Sequence, residues 1–151
     1  MIAHTRLFHL LCFASMMLAL SACQDDQKPE EFSLSSYAGQ WLVINYWAEW
    51  CAPCIKEIPE LNKLNETFAN QLTVVAVNFD GVKGEKLSVL GNKMGIKFHQ
   101  IENDPADLLR LARPMSLPTT YLFDPEGQLA FKLVGPQTAE SLVDKMGIHY
   151  Q

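Results

Sequence analysis

The sequence predicts a single α/β domain with a mixed sheet covered by helices, and three features point to it. Two continuous apolar runs, QWLVINYW at 40–47 and LTVVAVNF at 72–79, read as strands buried on both faces. A segment with apolar residues at helical spacing separates them. Two further strand-like runs and a closing helical segment follow the turn sequence DPEG. The order β-α-β, an inserted segment, then β-β-α belongs to an open sheet flanked by helices.

The elements follow in order. Pro53 opens a helix expected to run to about Asn70, since proline at a first turn forfeits no needed donor. Ile55, Ile58, Leu61, Leu64 and Phe68 are expected to form its apolar face, and Pro59 to kink it. Two buried strands joined by one helix make a right-handed unit with parallel strands. Residues 82–94 read as a helix and 97–101 as a short strand. Residues 104–111 read as another short helix, with Asp104 at the N-cap and Pro105 behind it. TTYLF at 119–123 and QLAFKLV at 128–134 form a hairpin. Residues 138–146 close the domain as a helix that Gly147 stops.

A chain of 151 residues, 48% hydrophobic and 19% charged, has material for one core. Its net charge of −5 carries no block of like charges and offers no basic patch for nucleic acid. The four cysteines do not make a disulfide framework, because Cys12 and Cys23 lie near the start and Cys51 and Cys54 share one C-x-x-C. A structural zinc site needs a second ligand pair, and His99 and His149 are isolated. Neither a metal nor a cofactor is expected.

Residues 1–22 read as an export signal, with Arg6 before an apolar run of 14 residues from Leu7 to Leu20. That run is short for a membrane span, which needs roughly 20 residues. The sequence Leu20-Ser21-Ala22-Cys23 resembles a bacterial lipoprotein lipobox, which implies lipid attachment at Cys23. The alternative is an ordinary secretory signal with an incidental cysteine. Residues 23–31 (CQDDQKPEE) then form a polar tether, and 32–151 the domain.

Cys51 stands where a buried strand meets a helix N-terminus, where free amides and the helix dipole favour a thiolate. The thiolate is the attacking species in disulfide exchange, and a cysteine one helical turn on can reach back to its sulfur. Cys51 is therefore the expected nucleophile and Cys54 the resolving thiol.

Trp47-Ala48-Glu49-Trp50-Cys51-Ala52-Pro53-Cys54 resembles the active site of the thioredoxin superfamily. Cys54-Ile55-Lys56-Glu57-Ile58-Pro59-Glu60-Leu61 is similar to its TlpA-like branch, envelope reductases that include the ResA and cytochrome-maturation types. Leu117-Pro118-Thr119-Thr120-Tyr121-Leu122 resembles the family's cis-proline loop. The resemblance spans roughly 32–146. It implies a thioredoxin-like fold with a TlpA-type insert at 80–103. It also implies a cis-Pro118 facing the sulfurs, a Leu117 backbone that pairs with substrate, and Trp50 as an apolar rim. Trp47 is expected in the core.

Two departures matter. The superfamily's buried Asp, six residues before the first cysteine, is here Asn45, so another acid, or water, must move the Cys54 proton. The candidates are Glu49, Glu57 and Asp80; Glu57 reads as a structural or surface helix residue, so the expectation rests on Glu49 and Asp80. Asp80 reads equally as a turn former before Gly81. The segment Arg113-Pro114-Met115-Ser116 replaces a Gly-Val-containing stretch, which alters the docking surface.

The expected function is a membrane-anchored reductase of disulfides in exported proteins, including apocytochrome c cysteines, facing the periplasm. A membrane electron donor would re-reduce it, and a monomer is expected. An oxidant that inserts disulfides is a second reading, which Ala52-Pro53 disfavours by offering no charge to the thiolate. A Cu(I)-delivery module on the same dithiol is a third, for which Met94 and Met115 are the mid-domain candidates.

Overall fold

A computed structural model describes residues 32–149. The expectations for the signal segment, Cys23 and the tether lie outside the described residues. A single 3₁₀ turn, Leu34–Tyr37, leads into the sheet. Strand β1 (Trp41–Trp47), helix α1 (Ala52–Thr67) and strand β2 (Leu72–Asn78) form the expected β-α-β unit. Helix α2 (Gly84–Met94) and the short strand β3 (His99–Ile101) form the insert. Strands β4 (Thr119–Phe123) and β5 (Leu129–Val134) make the hairpin, and helix α3 (Ala139–Met146) closes the domain.

The five strands lie in the order β3-β2-β1-β4-β5. Strand β1 pairs parallel to β2, Trp41 opposite Leu72 through Trp47 opposite Asn78. It pairs antiparallel to β4, Leu42 opposite Phe123 through Tyr46 opposite Thr119. The two central strands are buried on both faces, as continuous apolar runs require.

Alternation along β1 divides the core. Val43 and Trp47 face the helices, in a cluster with Cys54, Ile58, Leu61 and Leu64 of α1, Leu87 of α2, and Leu142 and Met146 of α3. Leu42, Ile44 and Tyr46 face the other way and join Val75, Val77, Tyr121 and Phe123. That second face is covered by Phe32, Leu34 and Tyr37 from the start of the domain and by Leu109 and Leu111. The mixed sheet covered by helices stands as expected, and Trp47 is fully buried in it.

Helix α3 begins as its sequence predicts. The Thr138 hydroxyl caps the Ser141 amide in a reciprocal capping box. It ends at Gly147, whose φ of 64° a side chain would resist.

Two expectations fail. Residues 104–111 form no helix but a series of turns. Asp104 Oδ1 accepts from the Ala106 amide at 2.9 Å, as an N-cap would, and also from the Tyr46 hydroxyl at 2.5 Å. Leu109 N–H reaches Pro105 O for one turn, but Arg110 then adopts a φ of 53° and propagation stops. On α1 the expected apolar face holds at Ile58, Leu61, Leu64 and Phe68 but fails at Ile55. Ile55 is 50% exposed, and the buried stripe is Cys54, Glu57, Ile58, Leu61 and Leu64. Pro59 lies inside the helix, which continues through it from Ala52 to Thr67.

Candidate active site

The site forms where the chain leaves β1 and turns into α1. Ala48 and Cys51 are buried, Cys51 N–H donates to Ala48 O, and Glu49 and Trp50 are pushed outward between them. Cys51 is the N-cap of α1, with extended backbone, and Pro53 sits in the first turn. The Cys54 amide donates to Cys51 Sγ at 3.2 Å. A negative charge on that sulfur would therefore meet a first-turn helix N–H, which also reaches Cys51 O at 3.1 Å, and the positive end of the dipole. Cys51 and Cys54 are joined in a disulfide with their Cα atoms 5.3 Å apart. Cys54 is completely buried, while Cys51 retains 3% of its surface.

The surroundings carry the remaining expected residues. The Leu117–Pro118 peptide bond is cis, at the entrance to β4. Trp50 is exposed, and its indole Nε1 donates to Asp80 Oδ2 at 3.0 Å. Asp80 is thereby occupied in orienting the indole. Glu49 is also at the surface, where Lys93 Nζ approaches its Oε1 to 2.6 Å. Met94 packs at the core margin and Met115 is fully exposed.

Neither Glu49 nor Asp80 is buried, and among the described residues the buried carboxyl belongs to Glu57. It lies one helical turn beyond Cys54, on the same inward stripe. Its Oε2 accepts from Asn45 Nδ2 at 2.8 Å and its Oε1 from the Gln137 amide at 2.9 Å. Asn45 Nδ2 also donates to Thr120 Oγ1 at 3.0 Å. Burial pushes the Glu57 carboxyl above the ordinary glutamate range, and the Gln137 N–H, Asn45 and Thr120 hold the rise back. Asn45 is buried, as the departure from the Asp pattern requires, but it serves as a donor to this acid. Glu57 reads as a surface residue when the α1 stripe is counted from Ile55. Moving the α1 stripe from Ile55 to Cys54 places position 57 inward beside Ile58.

A strand-to-helix dithiol, a sulfur capped by a helix amide and a cis-proline beside the next strand make a thiol-exchange site. The family model described as the AhpC/TSA family matches residues 17–132. The chain belongs to the AhpC/TSA family. It is 34% identical over 121 residues to the thioredoxin-like protein YneN of Bacillus subtilis, covering 79% of this chain and 71% of that one. It is 32% identical over 120 residues to the thiol-disulfide oxidoreductase ResA of Geobacillus kaustophilus, covering 78% and 67%. The crystal structure of a putative thiol:disulfide interchange protein DsbE from Chlorobium tepidum superposes with a TM-score of 0.60 at 25% identity, covering 74% of this chain and 81% of that one. The fold is thioredoxin-like, and the chain is a thiol–disulfide oxidoreductase whose redox motif is Cys51-Ala52-Pro53-Cys54.

Proposed function

We propose that the chain is a lipid-anchored reductase of disulfides in exported proteins, with Cys51 as the nucleophile. The observation that carries the direction of attack is the Cys54 amide on Cys51 Sγ, together with the complete burial of Cys54. In the reduced protein, the Cys51 thiolate attacks a substrate disulfide. A mixed disulfide forms and one substrate thiolate leaves. Cys54 then gives up its proton and attacks Cys51 Sγ, which restores the Cys51–Cys54 disulfide and frees the second substrate thiolate. Two electrons pass to the substrate, and a membrane dithiol donor returns them.

Glu57 is the group we assign to the Cys54 proton. It is the buried acid on the same stripe, and a raised pKa brings it closer to the range of thiol chemistry than an ordinary carboxyl. The exposed Trp50 indole and the Leu117–Pro118 edge form the walls between which a substrate segment would lie, with Leu117 offering backbone for strand-like pairing. Apocytochrome c is a substrate class consistent with this reading.

Ala52 and Pro53 bring no charge to Cys51, so its thiolate is favoured chiefly by the helix terminus. The couple should therefore lie at about −220 to −270 mV, near thioredoxin and far from the strong oxidants at about −120 mV. Equilibration in glutathione buffers, followed by indole emission, measures it. A potential above about −160 mV would make the chain an oxidant.

The anchor is assigned to Cys23 on the lipobox resemblance, with the domain facing the periplasm. Cys23→Ala should abolish incorporation of labelled fatty acid and shift the protein from the membrane to a soluble or unprocessed form. Undiminished labelling of that variant would remove Cys23 from the account.

A further inference from the structure

The segment leading into the cis-proline is held from beneath by hydroxyl groups. Tyr46 donates to Asp104 Oδ1 at 2.5 Å, and Tyr121 donates to Ala112 O at 2.6 Å. Thr119 Oγ1 donates to Ser116 O at 2.8 Å, immediately before the bend. The two tyrosine rings meet edge-on, 5.8 Å apart, so both anchors rest on one packed pair in the second core.

Arg113 leaves this segment toward the active-site rim. Its guanidinium lies over the Phe79 ring, 4.4 Å from the centroid, and its Nη2 donates to the Phe79 carbonyl oxygen. Its Nε is 3.7 Å from Asp104 Oδ2. Phe79 in turn meets Trp50 edge-on at 6.3 Å, and Asp80 accepts from the indole N–H. One chain of contacts thus runs from the loop before Pro118, through Phe79 after β2, to the indole beside Cys51.

We propose that Arg113 is a positioning residue for protein substrates. By stacking on Phe79 it fixes the gap between the Trp50 wall and the Leu117–Pro118 edge, and so sets how well a disulfide-bearing segment is held. This rests on the reading of Trp50 and Leu117 as substrate-contacting groups. Arg113 suits the task because a planar guanidinium can lie flat on a ring and donate to a carbonyl at the same time. A lysine can place its charge over the ring but presents no flat face. The Tyr121–Ala112 and Thr119–Ser116 bonds do not involve Arg113, so a neutral replacement leaves the loop attached while freeing the rim.

The test uses full-length protein with Arg113→Gln and Arg113→Lys. Turnover is measured with insulin as the disulfide substrate and dithiothreitol as recycling reductant. Reduction of the Cys51–Cys54 disulfide by dithiothreitol alone is followed separately. Arg113→Gln should raise KM for insulin about tenfold, equivalent to about 1.4 kcal/mol. The kcat and the dithiothreitol rate should stay within about twofold of the parent. Arg113→Lys should recover part of the KM. The pH dependence of Cys51 alkylation should not move, which separates positioning from a direct charge effect on the thiolate. An unchanged KM in Arg113→Gln, a dithiothreitol rate that falls along with it, or a shifted alkylation profile would overturn the proposal. Absence of Cys51-dependent insulin reduction in the parent protein would instead defeat the docking reading on which it rests.

Discussion

Cys51→Ser should lower disulfide reductase turnover by about a thousandfold or more, the scale on which loss of a covalent nucleophile is felt. The replacement is nearly isosteric, and the hydroxyl can still accept the Cys54 amide at the N-cap, so α1 should keep its start. Stability measured by urea should change by no more than about 1 kcal/mol relative to the reduced parent. The loss is then chemical. Cys54 cannot substitute, because it is fully enclosed among Trp47, Ile58 and the rest of the helix-side core. A variant retaining more than a few per cent of the parental rate would mean that another group attacks.

Glu57→Gln should remove one inflection from the pH dependence of turnover. In the parent, that inflection lies above the ordinary carboxyl value, because burial raises the Glu57 pKa. Glutamine fills the same space, and turning over the Asn45 amide lets Asn45 accept from it while the Gln137 amide keeps an acceptor. Glu57→Ala has no such remedy. It leaves a cavity and removes the acceptor of the Gln137 amide, with Asn45 keeping only Thr120, at a cost of about 2–5 kcal/mol.

The stability consequence has a definite sign. Glu57 binds its proton more tightly in the folded protein than in the unfolded chain. Below the unfolded value both states are protonated and the favourable contribution is fully present. As pH rises toward the folded value, only the unfolded chain has released its proton, so stability falls. Urea midpoints should therefore decline across that window in the parent but not in Glu57→Gln. A slope shared by both proteins would assign it to another group.

Most of this architecture is legible in the sequence because its strongest signals are local. The runs at 41–47 and 72–78 are too continuous and too β-branched for anything but central strands. Thr138 with Ser141, and Gly147, mark α3 at both ends. The Leu117–Pro118 bond is cis, Trp50 is exposed and Trp47 is buried, as expected.

What was not legible depends on partners distant in the chain. Asp104-Pro105 has the appearance of a helix start, but Tyr46 also engages the Asp104 carboxylate and Arg110 closes the turn in the left-handed region. Leu109 and Leu111 then face the second core. Glu57 resembles a solvated helix residue until β1 brings Asn45 beneath it and the segment before α3 adds the Gln137 amide. Its inward position follows from where Cys51 caps α1, which sets the phase of the whole helix.

The central claim is that Cys51 attacks and Cys54 resolves, and trapping tests it most directly. Cys54→Ser and Cys51→Ser proteins are reduced, mixed with an excess of a disulfide-bonded protein, quenched with acid and mapped by mass spectrometry. The account predicts a stable mixed disulfide at Cys51 in the first variant and little or none at Cys54 in the second. Equal trapping in both, or trapping only through Cys54, would contradict it.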